Sequence, residues 1–160
     1  MPFRKQLPWL LFGLYCLGML YLLFFQRIGW HKDMAYSQWL HQAVNLVPFR
    51  TVTGFTQMAV RENTASGSAL FRLAVKNLGG NVFLFVPFGI FLPMLFRRQK
   101  RFWMFLITVT LTIVLVELLQ LLTMLGSCDI DDLILNVLGA VCGFGLWKYA
   151  AGIWAHQKIT

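Results

Sequence analysis

Apolar runs and polar intervals alternate four times along this chain. The runs are Leu7 to Phe25, about Asn77 to Phe96, Phe102 to Leu125, and Leu133 to about Gly152. Each approaches the ~20 residues that a helix needs to cross the hydrocarbon core of a bilayer. The pattern therefore predicts an all-α polytopic membrane protein. Its 160 residues form a single domain, a four-transmembrane-helix bundle with a long extracellular loop between helices 1 and 2.

The first run is expected to be a retained span rather than a signal peptide. Bulky Phe24-Phe25-Gln26-Arg27 follows it where a cleavage site needs small residues, and Tyr15 before Cys16 does not suit a lipoprotein site. Arg97-Arg98-Gln99-Lys100-Arg101, between runs two and three, is the densest basic cluster. Short basic loops stay in the cytoplasm, so both termini are expected there, and the loops at 26 to 76 and 126 to 132 face outward. The long loop carries six basic residues of its own, but at far lower density. Within it Trp39, Leu40, Ala43, Val44 and Val47 recur at helical spacing. They predict a short interfacial helix ending before Pro48, and 63 to 68 reads as the most mobile stretch.

Composition agrees with a membrane setting: 58% of residues are hydrophobic, only 12% are charged, and the mean hydropathy is +0.66. The formal charge of +8 would raise nucleic-acid binding in a soluble protein. Here the cations flank apolar runs, so no nucleic-acid partner is expected and membrane lipids are. Three scattered cysteines make neither a disulfide framework nor a zinc site, and no metal or cofactor is expected. His31, His41 and His156 fall outside the polar cluster described next and are assigned no role.

Polar groups inside spans are costly and usually face the bundle interior. Glu117 lies 16 positions after Arg101 and Asn81 lies 16 before Arg97, about 24 Å along a helix in each case. The two are expected at one height, in the outer part of adjacent spans, lining one outward-open pocket. Gln120 and Thr110 share a face with Glu117, and Asn77 shares one with Asn81. Asp129, Asp132 and Asn136 start a stripe that continues through Gly139, Ala140 and Gly143, small residues that allow close helix packing. Arg72 and Lys76 would add cations above Asn77, and Pro87 predicts a kink or opening in span two. Plainer readings exist for most of these residues. Asp129 and Asp132 suit a helix N-terminus, and the amides suit helix bridges. Glu117, about two turns inside a span, is the hardest to explain structurally. Glu117 and the three aspartates could ligate a hard cation, but their spacing matches no EF-hand loop.

The same residues resemble the VanZ-like family of bacterial membrane proteins, whose namesake is linked to teicoplanin resistance. The matching pieces are Asn45-Leu46-Val47-Pro48-Phe49, Asn81 through Gly89, Glu117-Leu118-Leu119-Gln120, and Asp129-Ile130-Asp131-Asp132 on to Ala140. Many relatives carry an arginine shortly before the aspartates where this chain has Ser127 and Cys128, so an anion contact assigned to that arginine does not transfer. The resemblance implies reduced susceptibility to lipid-bearing glycopeptides.

Two functions follow from site and resemblance together. In the first, the polar site binds an amphiphile at the outer leaflet, either a cell-wall lipid precursor or the lipoglycopeptide itself, through Asn45, Asn77, Asn81, Glu117, Gln120, Asp129, Asp131, Asp132, Asn136, Arg72 and Lys76. In the second, the protein is a membrane-embedded enzyme that modifies an envelope lipid or glycan, with Glu117 and Asp129 or Asp132 as acid and base. No activated nucleophile is visible, which favours binding without chemistry. A transporter would call for an inverted repeat, and none is legible.

The topology is testable directly. With the native cysteines replaced, a cysteine at position 66 should react with an impermeant thiol reagent on intact cells. Labelling at position 99 instead would reverse the orientation.

Overall fold

The structure is a computed structural model. It describes residues 3–25, 35–51, 53, 54, 57 and 65–156, with the side chains of 3–5, 65–77 and 154–156 outside the described set. Five helices are described: α1 (Phe3–Leu23), α2 (Tyr36–Ala43), α3 (Ala65–Leu95), α4 (Phe102–Leu122) and α5 (Ile130–His156). All but α2 are long and apolar enough to cross a membrane. Two two-residue strands, β1 (Val44–Asn45) and β2 (Cys128–Asp129), pair in parallel and join the long loop to the start of α5.

The central contact is between α3 and α5, which run in the same direction. A Cβ placed on Gly139 would meet the Val82 carbonyl oxygen at 2.1 Å, one on Gly143 the Val86 oxygen at 2.0 Å, and one on Gly89 the Ala140 oxygen at 2.0 Å. No side chain fits at any of these three positions. Each carbonyl points along a glycine Cα–H, the geometry of weak Cα–H···O contacts worth about 0.5–1 kcal/mol each. Close approach through small residues takes the place of hydrophobic driving force, which lipid does not supply between helices.

The other two spans flank this pair. Phe105, Val109 and Ile113 on α4, all fully buried, form one core with Phe85, Ala140 and Phe144, and the Phe105 and Phe144 rings lie 4.6 Å apart. α1 leans on α3 through Phe12, stacked 6.2 Å from Phe88, and through the Tyr15 hydroxyl, which donates to the Leu84 carbonyl at 2.6 Å. α1 remains mostly lipid-facing, with Leu10, Leu14 and Leu17 well exposed.

Several boundaries differ from the expected ones for identifiable reasons. α3 starts at Ala65, so 65 to 68 are helical, and it stays helical through both Pro87 and Pro93. α4 stops at Leu122 because Met124 adopts φ 57°, and the amides of Met124 and Leu125 turn back to the carbonyls of Leu121 and Gln120. That is a Schellman C-cap, with a methionine where glycine is preferred. α5 starts at Ile130, three residues early, because Asp129 caps it. α2 ends at Ala43 rather than before Pro48, since the next two residues pair with β2. Trp39 is not a lipid anchor. It is buried, and its Nε1 donates to the Leu121 carbonyl at 3.2 Å at the end of α4.

Gly139→Ala and Gly143→Ala should each destabilise the bundle by about 2 kcal/mol, the usual range for overpacking. Gly145→Ala, which meets nothing within 4 Å, should be neutral. Thermal unfolding of the purified protein in detergent separates the three.

Candidate functional site

The polar residues gather at the end of the bundle opposite the basic turn, around the first turn of α5. Two of the three aspartates there hold the long loop, and the third holds α3. Asp129 accepts the Asp131 amide on Oδ1 at 2.9 Å, as an N-cap does. Its Oδ2 accepts the Thr51 hydroxyl at 2.6 Å and the Asn45 amide at 3.2 Å. Asp131, 1% exposed, takes the backbone amides of Phe49 and Thr51 at 2.5 and 2.9 Å. Asp132 accepts the side-chain amide of Asn81 on α3.

These bonds shape the loop. Phe49 sits at φ 64°, a left-handed conformation that costs a bulky residue about 1–3 kcal/mol. The Asp131 carboxylate compensates, because a hydrogen bond to a charged acceptor contributes about 1.5–3 kcal/mol. Carboxylates at the amino end of α5 also meet the positive end of its dipole.

Two cavities adjoin this turn. A polar cleft of about 530 Å³ is lined by His41, Gln42, Ala43, Val44, Asn45, Arg50, Thr51, Ser127 and Asp129. An apolar slot of about 190 Å³ is lined by Leu46, Val114, Glu117, Leu118, Cys128, Asp129, Ile130 and Leu133. Asp129 lines both. Glu117, 6% exposed, belongs to the slot.

The residues singled out from the sequence therefore divide. Asn45, Asp129 and Asp131 meet through Thr51, and Glu117 joins Asp129 in the slot. Asn81 goes elsewhere. It bonds Asp132 on α5 and is not among the residues that line the cleft or the slot. α3 packs mainly on α5, which brings Asn81 to the first turn of that helix. Gln120, 3% exposed, donates to the Leu23 carbonyl at 2.9 Å and ties the end of α1 to α4. Asn136 is buried, with Oδ1 lacking a hydrogen-bond partner among the described residues. The side chains of Arg72, Lys76 and Asn77 lie outside the described residues, as do those of His31 and His156.

Sequence reasoning passed over Thr51, Arg50, Cys128 and His41. Thr51 bridges two aspartates, yet a threonine in a loop carries no periodic signal. His41 was given no role, yet it lines the cleft because α2 turns that face toward it. Among the described residues no three His, Cys, Asp or Glu side chains gather as a metal site.

The fold and this site define an integral membrane protein that crosses the bilayer four times and carries polar groups and cavities at one end of its bundle. The family model described as VanZ/LLP1 matches residues 12–154, and the chain belongs to that family. It is a VanZ-like multi-pass membrane protein, of the family linked to glycopeptide resistance through its namesake. No curated protein and no solved structure matches it.

Burial raises the Cys128 thiol above its ordinary range, and the carboxylates of Glu117 and Asp129 push in the same direction. A raised thiol pKa keeps the neutral form at neutral pH, so the thiolate appears only in more alkaline solution. With Cys16 and Cys142 replaced, iodoacetamide should modify Cys128 slowly at neutral pH and faster as pH rises. Glu117→Gln should move that profile to lower pH. A profile identical to that of a free thiol in both proteins would contradict the assigned environment.

Proposed function

We propose that the protein lowers susceptibility to lipid-tailed glycopeptides of the teicoplanin class by holding an amphiphile at the outer leaflet. The observation that carries this reading is the meeting of a polar cleft and an apolar slot at Asp129. An amphiphile needs such a junction, because its polar part must keep hydrogen-bonding partners while its chain leaves water. The cleft offers Asn45, Arg50 and Thr51 to the polar part, and the slot offers Leu118, Ile130 and Leu133 to the chain. The occupant is a cell-wall lipid precursor or the antibiotic itself, and occupancy hinders their encounter. The reading includes an orientation with both termini in the cytoplasm, supported by the basic turn between α3 and α4.

A second reading has one specific support. Glu117 and Asp129 line the same slot, and two carboxylates in unlike environments can divide acid and base roles in the hydrolysis of an envelope lipid or glycan. Asp132 is the weaker candidate for that role, since Asn81 engages it.

Expression in a susceptible Gram-positive host tests the first reading. A buried chain contributes about 0.8 kcal/mol per methylene, so tailed drugs concentrate at the membrane surface where the site opens. The inhibitory concentration of teicoplanin should rise severalfold more than that of vancomycin, and Glu117→Gln should abolish the difference while leaving membrane abundance intact. Equal protection against both drugs would count against recognition within the leaflet. Product formation from labelled lipid precursor with the purified protein would favour the enzyme.

A further inference from the structure

The basic turn at the other end of the bundle is a second place where the protein meets a charged partner. Arg97–Lys100 form one 3-10 turn between α3 and α4, and the Arg101 amide closes it on the Arg98 carbonyl. Gln99 folds inward, its Nε2 donating to the Thr108 hydroxyl at 3.0 Å. That leaves Arg97, Arg98, Lys100 and Arg101 exposed, spread around a single turn. None of them makes an ion pair among the described residues, and Lys100 lies 6.0 Å from the centre of the Trp147 ring.

Among the described residues no acidic side chain pairs with this turn. No Asp or Glu occurs between 63 and 116 or after 132, so all six acids belong to the long loop, the outer part of α4 and the start of α5. Glu117 is about 24 Å from Arg101 along α4. That is more than twice the screening length of about 8–10 Å in ordinary salt. No described residue supplies a countercharge to these four cations. Beside the turn Trp103 is 71% exposed, with Phe96 and Phe102 at 39% and 40%, an aromatic edge of the kind that sits at headgroup level.

We propose that the turn is a binding site for anionic phospholipid headgroups, which supply the missing phosphate charge while Trp103 and its neighbours lie against the glycerol and upper chains. Guanidinium groups suit this role because they take phosphate oxygens in pairs. The site stands apart from the cleft and slot and does not depend on what those cavities hold.

The full-length protein in phosphatidylcholine vesicles, titrated with brominated phosphatidylglycerol or brominated phosphatidylcholine over the same range of mole fraction, reads the preference through quenching of tryptophan fluorescence. Brominated phosphatidylglycerol should reach half-quenching at about fivefold lower mole fraction, the effect of roughly one cation at a charged membrane surface. The preference should vanish in about 1 M salt, where screening falls to about 3 Å. It should also vanish when Arg97, Arg98, Lys100 and Arg101 are all changed to Gln. The salt series needs no variant, so a misfolded substitution leaves the test intact. Equal quenching by the two lipids, or a preference that survives the four substitutions, would overturn the proposal. So would loss of the preference to inorganic phosphate at matched ionic strength, which would assign the turn to a free anion.

Discussion

The backbone-to-backbone approach of α3 and α5 is the constraint on which the other contacts depend. With no side chain at Gly89, Gly139 or Gly143, the two helices settle onto each other's carbonyls rather than onto interdigitated side chains. That contact selects α5, not α4, as the partner of α3. It places Asp132 beside Asn81, and it leaves the outer face of α5 free to receive α4 through Phe105, Val109 and Ile113. α1 then takes the remaining place against α3, held in its middle by the Tyr15 hydroxyl and at its end by Gln120 of α4.

The first turn of α5 carries this order into the loops. A helix amino terminus has unpaired amides and a positive dipole end, so it tolerates three carboxylates that would be costly deeper in the bundle. Asp129 caps its own helix and takes Thr51 and Asn45 from the long loop, Asp131 takes two amides of the same loop, and Asp132 takes Asn81 from α3. Asp131 has the largest structural consequence, because it accepts two backbone amides of the loop and holds Phe49 in a strained conformation. The walls of both cavities depend on those bonds. A site of this kind is built by the carboxylates first and is available to a ligand second.

Charge is divided along the molecule. Among the described residues, acids and amides collect at one end and the densest cations at the other. A protein in water would screen such a division within a few residues' distance, whereas a bilayer lets it set both orientation and lipid contacts. The polar end offers amide, hydroxyl and one guanidinium donor beside an apolar slot, while the basic end offers clustered positive charge. The two ends therefore suit chemically different partners.

The four spans were legible in the sequence because crossing a bilayer demands long apolar runs, and that demand is met residue by residue with no reference to neighbours. The same holds for the basic turn and the small-residue stripe of span four, which is a local period. The VanZ-like motifs were also legible, and they picked out Asn45, Glu117, Gln120 and the aspartates as a set. What those residues touch was not legible. Equal height placed Asn81 opposite Glu117, but height along an axis says nothing about which helices adjoin. The glycine contact sent Asn81 to Asp132 and left Glu117 with Cys128 and Asp129. Thr51, Arg50 and His41 entered the site through a loop whose path is set by hydrogen bonds to carboxylates some eighty residues away. Periodicity reads one element at a time, so bonds between elements so far apart in the chain became visible only once the tertiary structure had brought them together.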